Sequence, residues 1–197
     1  EISEDAHGTY IMNSKDLCLL DRLNDILPIG IDSFKIEGRN KSEYYVAITA
    51  RAYRAAIDAW FNDPSNWNPE EFKRELFTLQ SRGYTTGFLD GNAGPEAHNY
   101  TVSGSSGAWR YAGQVLAQKD NRLTILVKDK ITLGTKLEIL LPHQWAPYSF
   151  VVKEMYHPHT NTPVEQISPG ALNQKIDLVL ADDIHIPPLC VLRTKVG

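Results

Sequence analysis

The sequence predicts a chain in two parts: a helix–strand–helix unit of an α/β layer or barrel over residues 1–80, then a small all-β barrel over 109–197. Three observations predict it. Before residue 80, apolar residues recur at the 3.6-residue helical period. After residue 108, short alternating runs are separated by turn residues, the signature of a small barrel or sandwich. Between them, residues 81–108 form a Gly/Ser-rich connection longer than an ordinary loop, from Gly83 through Gly87, Gly91, Gly94 and Gly104 to Gly107.

In chain order, Asn13 or Ser14 can cap a helix from Lys15 to about Ile26, with Asp16 favourable in its first turn. Leu19, Leu20, Leu23 and Leu27 give it an apolar stripe, and Pro28 and Gly30 stop it. The run Ile31–Glu37 reads as a strand, with Gly38 turning the chain at its end. A long helix is predicted from about Ser42 to Asn62, with Tyr45, Ile48, Ala52, Ala55 and Ala59 on one face. Pro64, Asn66, Trp67 and Pro69 interrupt it, and a shorter helix runs from Glu70 to Leu79. Six strands are then expected, at 111–118, 123–128, 136–141, 150–155, 176–180 and 189–194.

Composition narrows the class. With 197 residues, 42% hydrophobic and 22% charged, the chain is an ordinary globular sequence, too short for a complete eight-stranded α/β barrel plus a second domain. It contains no apolar run of membrane-spanning length and no visible secretory signal, and it begins at Glu1 rather than at methionine. Its cysteines, Cys18 and Cys190, are too few and too far apart for a disulfide framework, so a reducing cytoplasm is expected. The net charge of −4 is uneven: acids dominate residues 1–106, whereas 107–197 carries ten Lys/Arg against eight Asp/Glu. An anionic partner would favour the second part, although a mildly basic solvated surface explains the same excess.

Candidate functional residues follow from strand geometry. On a strand over 31–37, Phe34 and Ile36 share one face while Lys35 and Glu37 share the other, with Arg39 just beyond. Charges facing a sheet or barrel lumen must pair or bind something, so these three residues are either a structural ion pair or pocket residues. In the barrel, Lys128, Lys130 and Lys136 are candidate phosphate contacts. Trp109, Tyr111, Trp145 and Tyr148 could stack on bases or pack in the core. A peptidase motif is absent: there is no His-Glu-x-x-His pair and no Gly-x-Ser-x-Gly elbow. The close pair His157 and His159 sits in a Pro/Asn-bearing turn and reads as exposed loop.

A family resemblance joins these features. The stretches Gly8–Cys18, Gly30–Arg39, Tyr53–Asp58 and Ser81–Phe88 follow one another in the order seen in the collagenase-like peptidase family U32, which the chain resembles over residues 8–88. The resemblance implies that this chain is the C-terminal part of a longer protein: the last helix–strand–helix segment of an α/β barrel, whose N-terminal region is missing here, followed by a β-barrel domain. It is most similar to the RNA-modifying members, which implies tRNA as partner and prephenate-linked conversion of wobble uridine to 5-hydroxyuridine. Peptidase activity of unknown catalytic type is the alternative, as is a β-barrel that only binds RNA or protein. The family further implies a 4Fe–4S cluster in the intact protein, with Cys18 at the position of its last thiolate ligand. A cluster of this kind needs four thiolates, so none is expected in this chain alone, and Cys18 could equally be a small buried hydrophobe. Cys190, within Leu189–Leu192, reads as core. Uncovered apolar edges around a lone strand predict self-association through residues 9–60.

Overall fold

The computed structural model describes residues 3–5, 8–10, 14–91, 94, 97, 107–170 and 174–196. The chain divides into two compact units, Glu1–Gly107 and Ala108–Gly197.

In the first unit, β1 (Ser3–Asp5) pairs antiparallel with β2 (Gly8–Tyr10). Next, β3 (Asp16–Leu17) is followed by a 3-10 turn at Leu20–Arg22, α1 (Leu23–Ile26) and a second 3-10 turn at Leu27–Ile29. The expected continuous helix from Lys15 therefore does not form, and its candidate cap Asn13 lies outside the described residues. The physical reason is non-local. β3 pairs in parallel with β4 (Tyr84–Thr85), and the Asp16 and Cys18 N–H groups donate to the Gly83 and Thr85 carbonyls, both at 2.9 Å. Backbone groups committed to a strand cannot also serve a helix.

α2 (Glu43–Asn62) begins where the sequence predicts, because the Ser42 hydroxyl accepts from the Tyr45 N–H at 3.2 Å and caps it. Its buried stripe is Tyr44, Ile48, Ala52 and Ala56, displaced by about one residue from the predicted face at the helix start. These residues join Leu20, Leu23, Ile26 and Leu27, with Phe72 and Leu76 of α3 (Glu70–Leu76), in the buried set of this unit. Arg51 of α2 and Glu75 of α3 stand 3.5 Å apart with both side chains largely buried.

The strand expected over 31–37 is not formed. The segment is exposed and joins no sheet, although its neighbours Gly30 and Gly38 turn the chain much as the sequence suggests. A strand exists only by pairing, and none of the described elements lies beside this segment to pair with it. Ile29, Ile31, Phe34 and Ile36 stay exposed along it, as does Val46 on α2.

The second unit is an antiparallel sheet that curls on itself. Its strands are β5 (Trp109–Lys119), β6 (Arg122–Val127), β7 (Ile131–Thr132), β8 (Lys136–Leu140), β9 (Tyr148–Val151), β10 (Met155–Tyr156), β11 (Gln166–Ile167), β12 (Lys175–Val179) and β13 (Val191–Lys195). Seven of them form one sheet in the order β10-β12-β6-β5-β13-β8-β9. Its outermost strands, β9 and β10, are two halves of one stretch of chain. Between them the Val152 N–H donates to the Thr135 carbonyl at 2.9 Å, and the Glu154 carbonyl accepts from Val179 at 3.2 Å. Residues 152–154 thus bridge the two edges. β7 and β11 form a separate pair that places Ile131 and Ile167 in the core. The sequence reading missed both.

Strand alternation builds that core. Leu123, Ile125 and Val127 of β6, Leu137 and Ile139 of β8, Ile176 and Leu178 of β12 and Leu192 of β13 face inward and are essentially inaccessible. Cys190 is buried among them, as the sequence suggests, and burial pushes its thiol up. β5 carries two irregularities. Its pairing shifts at Ala112 against β13 and at Leu116 against β6, each an extra residue that increases local bend and twist. At Gly113 a Cβ would lie 2.6 Å from the Leu126 carbonyl oxygen on the neighbouring strand. Gly113→Ala is accordingly expected to destabilise this unit by about 1–3 kcal/mol, measured by chemical denaturation. Gly170→Ala, whose nearest neighbour is the flexible Gln174 side chain, serves as the tolerant control.

Candidate functional site

Parallel pairing of β3 with β4 creates the most chemically dense point of the first unit. Asp16 sits opposite Tyr84, with Cys18 just beyond the strand end. The Asp16 side chain is only 11% exposed and takes a cation on each oxygen: Lys41 Nζ at 3.3 Å from Oδ2, and Arg82 Nη2 at 3.3 Å from Oδ1. Lys41 Nζ also lies 4.7 Å from the centre of the Tyr45 ring, so the ammonium is held between a carboxylate and an aromatic face.

Cys18 is partly buried. The Tyr53 hydroxyl accepts from the Leu19 N–H at 2.9 Å and donates to Cys18 Sγ at 3.6 Å. A phenol anchored by a backbone donor has its own proton left to give, and it gives it to sulfur. α2 supplies both Tyr45 and Tyr53, and β4 supplies Tyr84. Burial raises all three phenols above their ordinary values. Tyr53 is pushed far up by burial and by the neighbouring Cys18, and Tyr45 is raised by burial and Asp16. Tyr84 is pushed up to about 12, chiefly by burial. Near neutral pH the cluster therefore offers fixed hydrogen-bond donors and cations, suited to holding a thiolate or another anion and unsuited to acting as a phenolate base.

The structure places the sequence-derived candidates unequally. Glu37 and Arg39 are exposed and bind one another: Arg39 Nη2 lies 3.2 Å from Glu37 Oε2, and Arg39 N–H donates to Oε1 at 3.0 Å. Those hydrogen bonds hold the Glu37 carboxyl below its usual range. Lys35 is exposed on the same unpaired segment, so none of the three faces a sheet interior. Lys128, Lys130 and Lys136 lie at strand ends of the second unit. Asp16, Lys41, Tyr45, Tyr53, Arg82 and Tyr84 gather around Cys18 without having been singled out as site residues. Their assembly depends on a pairing between residues 16 and 84 that no local period encodes. Among the described residues, no group of three His, Cys, Asp or Glu side chains could hold a metal ion.

The family model for peptidase family U32 matches residues 1–99, about half of the chain and all of the elements that form this cluster. The chain belongs to peptidase family U32. Within U32 it is 33% identical to tRNA hydroxylation protein P of Haemophilus influenzae over 98% of this chain and 41% of that protein. It is 39% identical to the Escherichia coli tRNA hydroxylation protein P over 71% of this chain and 31% of that protein. A collagenase of Porphyromonas gingivalis is 33% identical over 56% of this chain and 31% of its own length. This chain thus spans less than half the length of the relatives it matches. A solved C-terminal domain of a Geobacillus thermoleovorans putative U32 peptidase aligns at 15% identity with a TM-score of 0.37, covering 43% of this chain and 99% of that one.

The raised phenols have a pH consequence. A phenol whose folded value lies above the unfolded one, about 10, contributes stability that is fully present below pH 10 and is lost as pH rises through the folded value. The first unit is therefore expected to lose stability as pH rises above about 10, through the Tyr84 value of about 12, with Tyr53 ionising later still. Titration of tyrosinate absorbance in the folded protein should show these phenols ionising late, and Tyr84→Phe should remove one late step. Tyr53→Phe should cost about 1–3 kcal/mol in urea unfolding, because it leaves the Leu19 N–H without its acceptor.

Proposed function

We propose that this chain is the C-terminal portion of a tRNA uridine hydroxylase, forming 5-hydroxyuridine at the wobble position with prephenate as the linked small molecule. The observation that carries the reading is the extent of similarity to the tRNA hydroxylation proteins, which runs over 98% of this chain in the Haemophilus case and so takes in both units. Similarity to the collagenase covers 56%. The donor-rich cluster around Cys18 supports chemistry on an anionic or thiolate-bound group, and among the described residues it holds no nucleophile–base pair of the kind used in peptide hydrolysis.

A 4Fe–4S cluster does not fit this chain alone: it needs four thiolates, the chain has two cysteines, and Cys190 is sealed in the sheet core. Cys18 fits as a single ligand, the residue only partly buried and its sulfur accepting from Tyr53. The remaining thiolates would come from residues outside this chain, in the longer protein. Lys35 and Arg39, exposed on the unpaired segment, are the proposed contacts for a dicarboxylate. The same segment, with Ile29, Ile31, Phe34, Ile36 and Val46 exposed, would be covered when the rest of the barrel is present. Expressed alone, the chain should self-associate through residues 9–60, and Phe34→Asp with Ile36→Asp should shift it toward monomer in sedimentation. A monodisperse monomer of the unsubstituted chain would count against the covering role.

The test of function uses the intact protein in a host lacking its own wobble-uridine hydroxylation. Mass spectrometry of digested tRNA should then show 5-hydroxyuridine, and Arg39→Ala or Lys35→Ala should reduce it at least tenfold with the melting temperature unchanged. Cleavage of gelatin without any tRNA modification would replace this reading with the peptidase one. Cys18→Ser in anaerobically purified intact protein should lower bound iron and sulfide, whereas Cys190→Ser should leave them unchanged. Full iron content in the Cys18 variant would reduce that residue to packing.

A further inference from the structure

Cys18 is held at three points, two of them by one side chain. Its own N–H donates to the Thr85 carbonyl at 2.9 Å. The next N–H along the chain, that of Leu19, donates to the Tyr53 hydroxyl at 2.9 Å, and the same hydroxyl donates to Cys18 Sγ at 3.6 Å. A single phenol from the middle of α2 therefore spans the backbone just after Cys18 and the sulfur itself. With the Leu19 N–H on one side of the oxygen, the O–H is left pointing to the other side, where the sulfur stands.

The surroundings keep that proton on sulfur. Asp16 would be a stronger acceptor, but its two oxygens are taken by Lys41 and Arg82, each at 3.3 Å. Tyr84, the phenol on the facing strand, gives its own proton to the Leu76 carbonyl at 3.1 Å. A cysteine kept for packing needs no such arrangement, as Cys190 shows by lying among apolar side chains in the sheet core. A neutral thiol is a weak acceptor, whereas a hydrogen bond to an ionised one is roughly twice as strong as a neutral pair. A donor fixed in advance toward sulfur is thus matched to a thiolate, the form in which cysteine binds metal.

We propose that Tyr53 is the positioning residue for Cys18 as an iron ligand: it fixes the direction of the sulfur and, by donating to the thiolate, raises the reduction potential of the cluster that Cys18 helps to hold. The proposal rests on the reading of Cys18 as a ligand and deepens it by naming the residue that tunes it. Tyr53 acts through the sulfur and touches neither iron nor substrate. Partners of ligand side chains alter metal affinity roughly 10–100-fold, and hydrogen bonds to cluster sulfurs are among the factors that set the potential. The sign follows from charge: a donor stabilises the more negative, reduced state, so its loss lowers the potential.

The experiment uses the intact protein purified without oxygen. It reads bound iron and sulfide, the reduction potential in a dye-buffered titration, and the rate at which a chelator strips the iron. Tyr53→Phe is expected to lower the potential and to lose iron to the chelator roughly tenfold faster. Trp67→Phe removes the indole N–H that donates to the Ala56 carbonyl of α2 at 3.0 Å. It loosens the same helix away from the sulfur and should leave the potential unchanged, which separates a weakened fold from a lost donor. Because Tyr53→Phe also leaves the Leu19 N–H without its acceptor, a second variant guards against a folding failure. 3-Fluorotyrosine at position 53 keeps the shape and, being a more acidic phenol, donates more strongly, so the potential should rise. That variant decides alone where the first does not fold. A potential unmoved at position 53, or lowered equally by Trp67→Phe, overturns the positioning role, and the ligand reading stands if Cys18→Ser still loses iron. Full iron in Cys18→Ser, or an intact protein without iron and sulfide, overturns the ligand reading and this proposal with it.

Discussion

Every buried backbone N–H and C=O must find a partner, and the two units of this chain meet that demand in different ways. In the second, the edges that an open sheet would leave unpaired belong to β9 and β10, and the few residues between them carry the chain from one edge to the other. The second sheet therefore links its two edges through its own chain. In the first unit β3 and β4 satisfy each other and in doing so gather Asp16, Cys18 and Tyr84, whereas residues 31–37 are exposed and join no ladder, so their backbone groups are left to water.

That difference governs the candidate site. Its hydrogen bonds are internal to the first unit and already in place: Tyr53 is fixed by Leu19 and aimed at sulfur, and Asp16 is clamped by Lys41 and Arg82. Preorganised donors of this kind cost nothing further when an anionic group arrives. Lys35, Glu37 and Arg39 are the reverse case, exposed on a segment that joins no sheet. Their local pairing of Glu37 with Arg39 is that of a solvated surface, where such contacts contribute little.

Legibility in the sequence followed the range of the interactions. β6 is readable from its clean alternation of buried and half-buried residues, and β5, β8, β12 and β13 are long enough for their apolar positions to stand out between turn residues. β7 and β11, two residues each, carry no period. The long helix was readable at both ends from Ser42 and Pro64, although its buried stripe was misplaced by a residue where Tyr44 and Tyr45 compete for the inward position. The helix expected from Lys15 failed because Asp16 and Leu17 answer to a strand almost seventy residues away. For the same reason Cys18 could be singled out from a family resemblance, while Tyr53 and Tyr84, which give it its surroundings, could not.

The two unpaired residues of β5 carry a further meaning. A regular strand keeps every second residue on one face, yet Trp109 and Tyr111 are only partly buried, Gly113 and Val115 are buried, and Ala117 is exposed again. Each surplus residue, Ala112 and Leu116, therefore exchanges the two faces of β5, and the second restores the phase that the first reversed. The two belong together: removing Ala112 alone would turn Trp109 and Tyr111 toward the core, or Gly113 and Val115 away from it, because a one-residue slip inverts every side chain beyond it. Length at this strand can change without exchanging inside and outside only in steps of two.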